Sequence, residues 1–187
     1  FMFVFTFVSL FIAVLSASDF ENPEFSNELK WHETPTLTWD NFKARPQRYA
    51  DHHALTTWGI SYSATFDNRG KIEAEVYCFF DERKSWVKKD GSQYLLRHEQ
   101  LHFDLGEVYA RKMRKELSEF EFSYRTFNSD LQKIYNDHMN ACTREQSRYD
   151  RETDHSLKRE KQKQWDEKIT RQLRELEEFS SPIVEIY

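Results

Sequence analysis

Four glycines and four prolines in 187 residues leave this chain few places to turn sharply, while 32% of its residues are charged. Glycine supplies left-handed backbone and proline punctuates strands, so a loop-rich all-β architecture needs more of both. Long helices with charged outer faces, joined by a smaller amount of sheet, are the expectation. An apolar fraction of 39%, with 16% aromatic residues, is enough for a core and excludes a disordered chain. A formal charge of −5 excludes the bulk positive field used in non-specific nucleic-acid binding, so no nucleic-acid partner is expected.

Residues 1–17, FMFVFTFVSLFIAVLSA, carry no charge, and the first acid is Asp19. That is the texture of a signal-peptide apolar region ending in small residues. The expectation is a signal peptide over 1–17 and a single domain over 18–187, secreted or periplasmic, without stable membrane insertion after cleavage; an uncleaved anchor is the other reading. Cys78 and Cys142 are the two cysteines. In an oxidising compartment they either pair, tying a strand-like run to a helix-like run for about 2–4 kcal/mol, or stay as buried free thiols.

Leu37-Thr38-Trp39 reads as a short strand running into a turn. The β-branched and aromatic stretch Ala54 to Phe66, the turn residues Asp67 to Gly70 and the alternating run Lys71 to Phe80 read as a hairpin. Ile72, Ala74, Val76, Cys78 and Phe80 share one face of its second strand. Ser92 is the expected N-cap of a helix from about Gln93 to about Glu121. A second helix is expected from near Asn128, and a third through Trp165, Ile169, Leu173, Leu176 and Phe179, with a break around Thr153 to Ser156. Pro182 is expected to close the domain, and the charge run Lys158 to Lys168 reads as a solvated helix face. The fold class is therefore α+β, a small antiparallel sheet on a long helix with long C-terminal helices.

The first helix carries His98-Glu99-Gln100-Leu101-His102. Histidines four apart lie about 40° from each other around a helix and one turn apart along it, so both rings face one point. Imidazole suits Zn2+, and such a pair fills two of the three protein positions of a hydrolytic zinc site. A carboxylate at Glu99 is placed to accept a proton from water acidified by the metal. The bland alternative is an amphipathic helix whose histidines are ordinary surface or core residues.

The third ligand has to come from elsewhere in the chain. Leu105 and Val108 stand where a same-helix extension requires Gly and His, which excludes the metzincin pattern. Asp104 projects about 200° from His102 and is better suited to supporting a ligand or packing the helix. The later segment Tyr149 to Ser156 offers His155 first, Glu152 second and Asp150 third, at the expected helix break. Tyr149 is a further candidate, as a hydrogen-bond donor to the oxyanion of a tetrahedral intermediate.

Leu95 to Asp104, Ala110-Arg111, Tyr149-Asp150, Glu152 to His155 and Gln164-Trp165 together resemble a family of bacterial proteins predicted to be secreted zinc-dependent proteases, domain of unknown function 922. Leu37-Thr38-Trp39, Phe42, Ser61-Tyr62 and Ser85-Trp86 are similar to it too, so the resemblance covers nearly all of the chain after residue 17. The family pattern has Gly after the late His, where this chain has Ser156. The resemblance implies a zincin-like fold, in which Lys71 to Phe80 is the candidate edge strand for pairing with an extended peptide, or lies beside that edge.

The expectation is an exported metallopeptidase acting on a peptide or protein substrate. His98, His102 and His155 hold Zn2+, and Glu99 is the general base. The alternative is a non-catalytic, metal-stabilised binding module of the envelope or cell surface, with all metal positions filled by protein. A third is a scaffold that assembles through its charged C-terminal helices.

Overall fold

A computed structural model describes residues 28–31, 36–50, 52–67, 70–89 and 91–186 of the chain. The signal peptide expected over 1–17 lies outside the described residues. Among the described residues, no helix is long and apolar enough to cross a membrane. The fold is α+β. Its strands are β1 (Glu28–Lys30), β2 (Ala54–Leu55), β3 (Trp58–Phe66), β4 (Ile72–Asp81), β5 (Trp86–Val87) and β6 (Ile183–Ile186). Its helices are α1 (Gln93–Glu119), α2 (Phe127–Thr153) and α3 (Arg159–Glu175).

Strand β4 is the spine of the main sheet. It pairs antiparallel with β3 along its whole length, Phe66 opposite Ile72 and Trp58 opposite Phe80. Its other edge is shared by β1, beside Phe79 to Asp81, and β6, beside Ile72 to Glu75. The expected alternation holds, with Ile72, Ala74, Val76, Cys78 and Phe80 all buried on one face. Gly70, at φ +81, closes the hairpin between the two long strands, a backbone setting that glycine adopts without a Cβ clash. Because β4 is paired on both sides, it is not an edge; among the described residues the edge beside it is β3.

Three expectations need correction. Leu37-Thr38-Trp39 is not a strand: Trp39–Asn41 form a short 3-10 turn, with the Thr38 N–H donating to Asn41 Oδ1 at 2.8 Å. The stretch from Ala54 is two strands, because β2 turns away to pair with β5, Leu55 opposite Trp86, before β3 begins. Pro182 does not end the domain, since Ile183–Ile186 returns to the sheet as β6.

Helix α1 lies between the sheet and the α2–α3 hairpin, which explains why it is buried nearly all round. Ser92 caps it, accepting from the Leu95 N–H at 3.1 Å. Phe103, Ala110, Met113 and Leu117 pack into the sheet-side core. Leu101, Leu105 and Val108 pack with Tyr149 of α2 and with Trp165 and Ile169 of α3. Each such side chain contributes about 1.5–3 kcal/mol by leaving water. Gly106 lets the helix approach the sheet, because a Cβ there would stand 2.7 Å from Cys78 Sγ.

Cys78 and Cys142 are free and buried. Their thiols sit at 3.8 Å from the Phe103 carbonyl and 3.9 Å from the Leu105 carbonyl of α1. Burial pushes both thiols up, so they act as inert core residues.

Helix α2 ends in three consecutive left-handed residues, Asp154 (φ 51), His155 (φ 49) and Ser156 (φ 75). The Asp150 carbonyl accepts from the Asp154 N–H that caps the helix and from the His155 N–H at 3.0 Å. This is the break expected around Thr153 to Ser156, and it turns the chain straight into α3.

Candidate metal centre

One turn of α1 presents His98 and His102 toward the α2–α3 hairpin, as their spacing requires. Their Nε2 atoms are 3.3 Å apart. Asp150, from the last turns of α2, completes a triangle: its Oδ1 is 3.0 Å from His102 Nε2 and 3.3 Å from His98 Nε2. Among the described residues these three are the cluster able to hold a metal ion. Donors bound to zinc at about 2.0–2.1 Å in tetrahedral array lie roughly 3.3 Å from one another, so the triangle is the size of one tetrahedral face. Two imidazole nitrogens and a carboxylate oxygen also suit zinc chemically. The donor set fits the ion.

Of the three positions weighed for the third ligand, the geometry selects Asp150. Glu152 faces elsewhere, accepting from Arg148 Nε at 2.7 Å and from Trp165 Nε1 at 3.0 Å. His155 is not in the triangle. Its ring is exposed at the helix break, with Nδ1 at 3.6 Å from Asp150 Oδ1. The expected preference for His155 rested on its imidazole and its place at the break; the break leaves that ring exposed, while Asp150, still helical, faces the two histidines.

Both histidines are backed by glutamines. His98 Nδ1 is 2.8 Å from Gln162 Oε1, and His102 Nδ1 is 2.5 Å from Gln146 Oε1. The second ends of these amides are also occupied. Gln146 Nε2 donates to the His102 carbonyl at 2.8 Å, and Gln162 Nε2 donates to the Tyr149 hydroxyl at 2.6 Å. Tyr149 is fully buried and its hydroxyl donates to the His98 carbonyl at 3.3 Å. Its ring lies under both imidazoles, at 4.6 and 4.8 Å between centroids. Tyr149, named in the sequence as a candidate oxyanion donor, is buried beneath the histidines with its hydroxyl taken up by the His98 carbonyl and Gln162.

Asp104 accepts from Gln100 Nε2 at 2.7 Å, Trp31 Nε1 at 3.0 Å and Arg97 Nη1 at 3.3 Å. It packs α1 and does not back a histidine. Arg97 also forms a two-point ion pair with Asp166 of α3, at 2.9 and 2.6 Å, which clips α3 to α1 beside His98.

Glu99 is buried, and its Oε2 accepts from Thr56 Oγ1 at 2.7 Å. His52 stacks on Trp86 at 5.1 Å and faces the His155 ring at 6.2 Å. Burial and the neighbouring His155 lower its pKa, whereas Glu99 and Asp150 oppose that shift.

The charges of the centre are tightly linked. Burial lowers His102, but the Asp150 carboxylate, its hydrogen bond and Glu99 outweigh it, and the imidazole is pushed up to about 9. Burial raises Asp150, yet the neighbouring His102 and its hydrogen bond, with His155 and His98 close by, hold its carboxyl well below the usual carboxylate range.

Comparison with known proteins places this geometry on a matched segment. Residues 80–156 match the family described as bacterial protein of unknown function, DUF922. The matched segment holds His98, Glu99, His102 and Asp150, with the helix break at its end. It is narrower than the resemblance read from the sequence: Leu37, Phe42 and Ser61-Tyr62 precede it, and Gln164-Trp165 follow it. No curated protein and no solved structure matches the chain.

Gln146, Gln162, Thr56 and His52 were missed by sequence reasoning. For Gln162 a signal existed, since extending the stripe Trp165, Ile169, Leu173 back by three residues reaches it.

Proposed function

We propose that this chain is an exported zinc-dependent peptidase of zincin-like type. His98, His102 and Asp150 hold Zn2+, and Glu99 is the general base. The observation that carries the reading is the triangle of 3.0–3.3 Å between three donor atoms on two helices, with a buried carboxylate next to one of them in sequence. When bound there, zinc polarises a peptide carbonyl and acidifies water. Glu99, held at Oε2 by Thr56, takes the proton of the attacking water on Oε1 and passes it to the leaving amine. The Asp150 side chain is 32% exposed against 3% for His98, so substrate enters from the Asp150 side. Export rests on the uncharged run at residues 1–17.

The competing reading, a metal-stabilised binding module, draws on His155. Its Nδ1 is 3.6 Å from Asp150 Oδ1, close enough to become a fourth protein ligand that closes the site. Metal analysis followed by turnover of a mixed peptide substrate separates the two. Glu99→Gln is expected to keep one zinc per chain and the fold while losing roughly 10²–10⁴-fold in kcat/KM. Hydrolysis that survives this substitution, or a wild-type protein that hydrolyses nothing while holding zinc, refutes the peptidase.

A further inference from the structure

We infer that Gln146 and Gln162 are positioning residues that keep a proton on Nδ1 of each imidazole, so that Nε2, the atom facing Asp150, is the one left to take an ion. The inference rests on the metal-binding reading and deepens it. A side-chain amide has one accepting and one donating end, so its second partner decides which end faces the histidine. Gln146 meets the His102 carbonyl with Nε2 at 2.8 Å. A carbonyl only accepts, which leaves Oε1 facing His102 Nδ1 at 2.5 Å. That oxygen also only accepts, so Nδ1 carries the hydrogen.

Gln162 reaches the same result through Tyr149. The Tyr149 hydroxyl gives its proton to the His98 carbonyl, and it therefore accepts from Gln162 Nε2 at 2.6 Å. Gln162 Oε1 is left 2.8 Å from His98 Nδ1. Each ring is thus tied to the carbonyl of its own residue, once through one side chain and once through two. His98, His102, Gln146, Gln162 and Tyr149 are all buried, so water does not compete for these bonds.

The backing groups are neutral amides. A carboxylate in their place would pull on the Nδ1 proton and make each ring a stronger donor; an amide fixes orientation with less charge transfer toward the ion. Gln162 belongs to α3, beyond the segment matched to the bacterial family. The centre therefore depends on a helix outside that segment.

The test uses the full chain titrated with Zn2+ against a competing chelator, as wild type, Gln146→Leu, Gln162→Leu, Gln146→Glu and Gln162→Glu, each checked for fold by circular dichroism. Leucine removes the acceptor, and a roughly 10–100-fold loss of Zn2+ affinity is expected. Glutamate restores an acceptor, and its affinity is expected to lie well above that of the leucine variant. Nitrogen-15 NMR of the metal-free protein is expected to find the His98 proton on Nδ1. A folded leucine variant with wild-type affinity overturns the inference, as do a glutamate variant as weak as the leucine one and a His98 proton on Nε2. If the leucine variants do not fold, the glutamate pair and the NMR spectrum decide. A wild-type chain that binds no Zn2+ but carries the His98 proton on Nδ1 refutes the metal reading and leaves the orientation standing.

Discussion

In the proposed metal centre, zinc would compete with a proton for His102, and the Asp150 pair sets the scale of that competition. The Asp150 carboxylate, working against the burial that lowers the ring, pushes His102 up to about 9. Its folded value is therefore raised, and the proton must leave before Nε2 can bind an ion. At about pH 7 the ring is two units below that value, so proton competition weakens zinc by about 100-fold, or about 2.7 kcal/mol. Affinity is expected to rise about tenfold per pH unit between about pH 6.5 and 8.5, then level off above about 9. Chelator-competition titrations across that range measure the slope. Calorimetry in two buffers of different ionisation enthalpy counts the proton released per zinc, expected to be about one from His102. Asp150→Asn removes the charge that holds the proton: affinity falls, while the levelling point moves to lower pH. Affinity that stays flat between about pH 7 and 8.5, with no proton released, refutes the coupling of His102 to Asp150.

The same raised value predicts that metal-free protein gains stability from the His102–Asp150 pair in full between about pH 4 and 6.5 and loses it as pH rises from there through about 9. Its Tm is expected to fall over that interval, and Asp150→Asn to abolish the trend. Ser156→Gly relieves a residue held at φ 75. It is expected to stabilise by about 0.5–1 kcal/mol, roughly 1–4 °C in thermal melts, because the left-handed cost exceeds glycine's entropy cost. Gly106→Ala drives a Cβ to 2.7 Å from Cys78 Sγ and 3.2 Å from Trp58. It is expected to destabilise by about 1–3 kcal/mol in urea unfolding, and adding Cys78→Ala is expected to return part of the loss.

Where one period governed a stretch, the sequence was legible. The alternation Ile72, Ala74, Val76, Cys78, Phe80 named the buried face of β4, and Ser92 named the start of α1. His98 and His102 had to converge because helical geometry alone brings positions four apart together. What decided the rest was tertiary. Ala54-Leu55 carries the same β-rich texture as Trp58–Phe66, and only pairing with Trp86-Val87 separates the two strands. Ile183–Ile186 is too short to announce itself, and it is held by the partner strand that is already there. The candidate third ligand turned on which way the break points its side chains: it leaves the His155 ring exposed, while Asp150 one turn earlier faces the histidines, and sequence gives no local sign of that direction. Gln162 was hidden in a run of charges because a single polar residue on a buried stripe looks like its solvated neighbours.

The left-handed corner at Asp154, His155 and Ser156 reverses the chain within a few residues. It lies between Asp150, which grips the ion's place from the front, and Gln162, which braces His98 from behind. Front grip and rear brace are thus two arms of one hairpin. In the proposed centre an ion between them would tie that hairpin shut, so metal loading and folding of the last third of the chain are expected to be a single cooperative event.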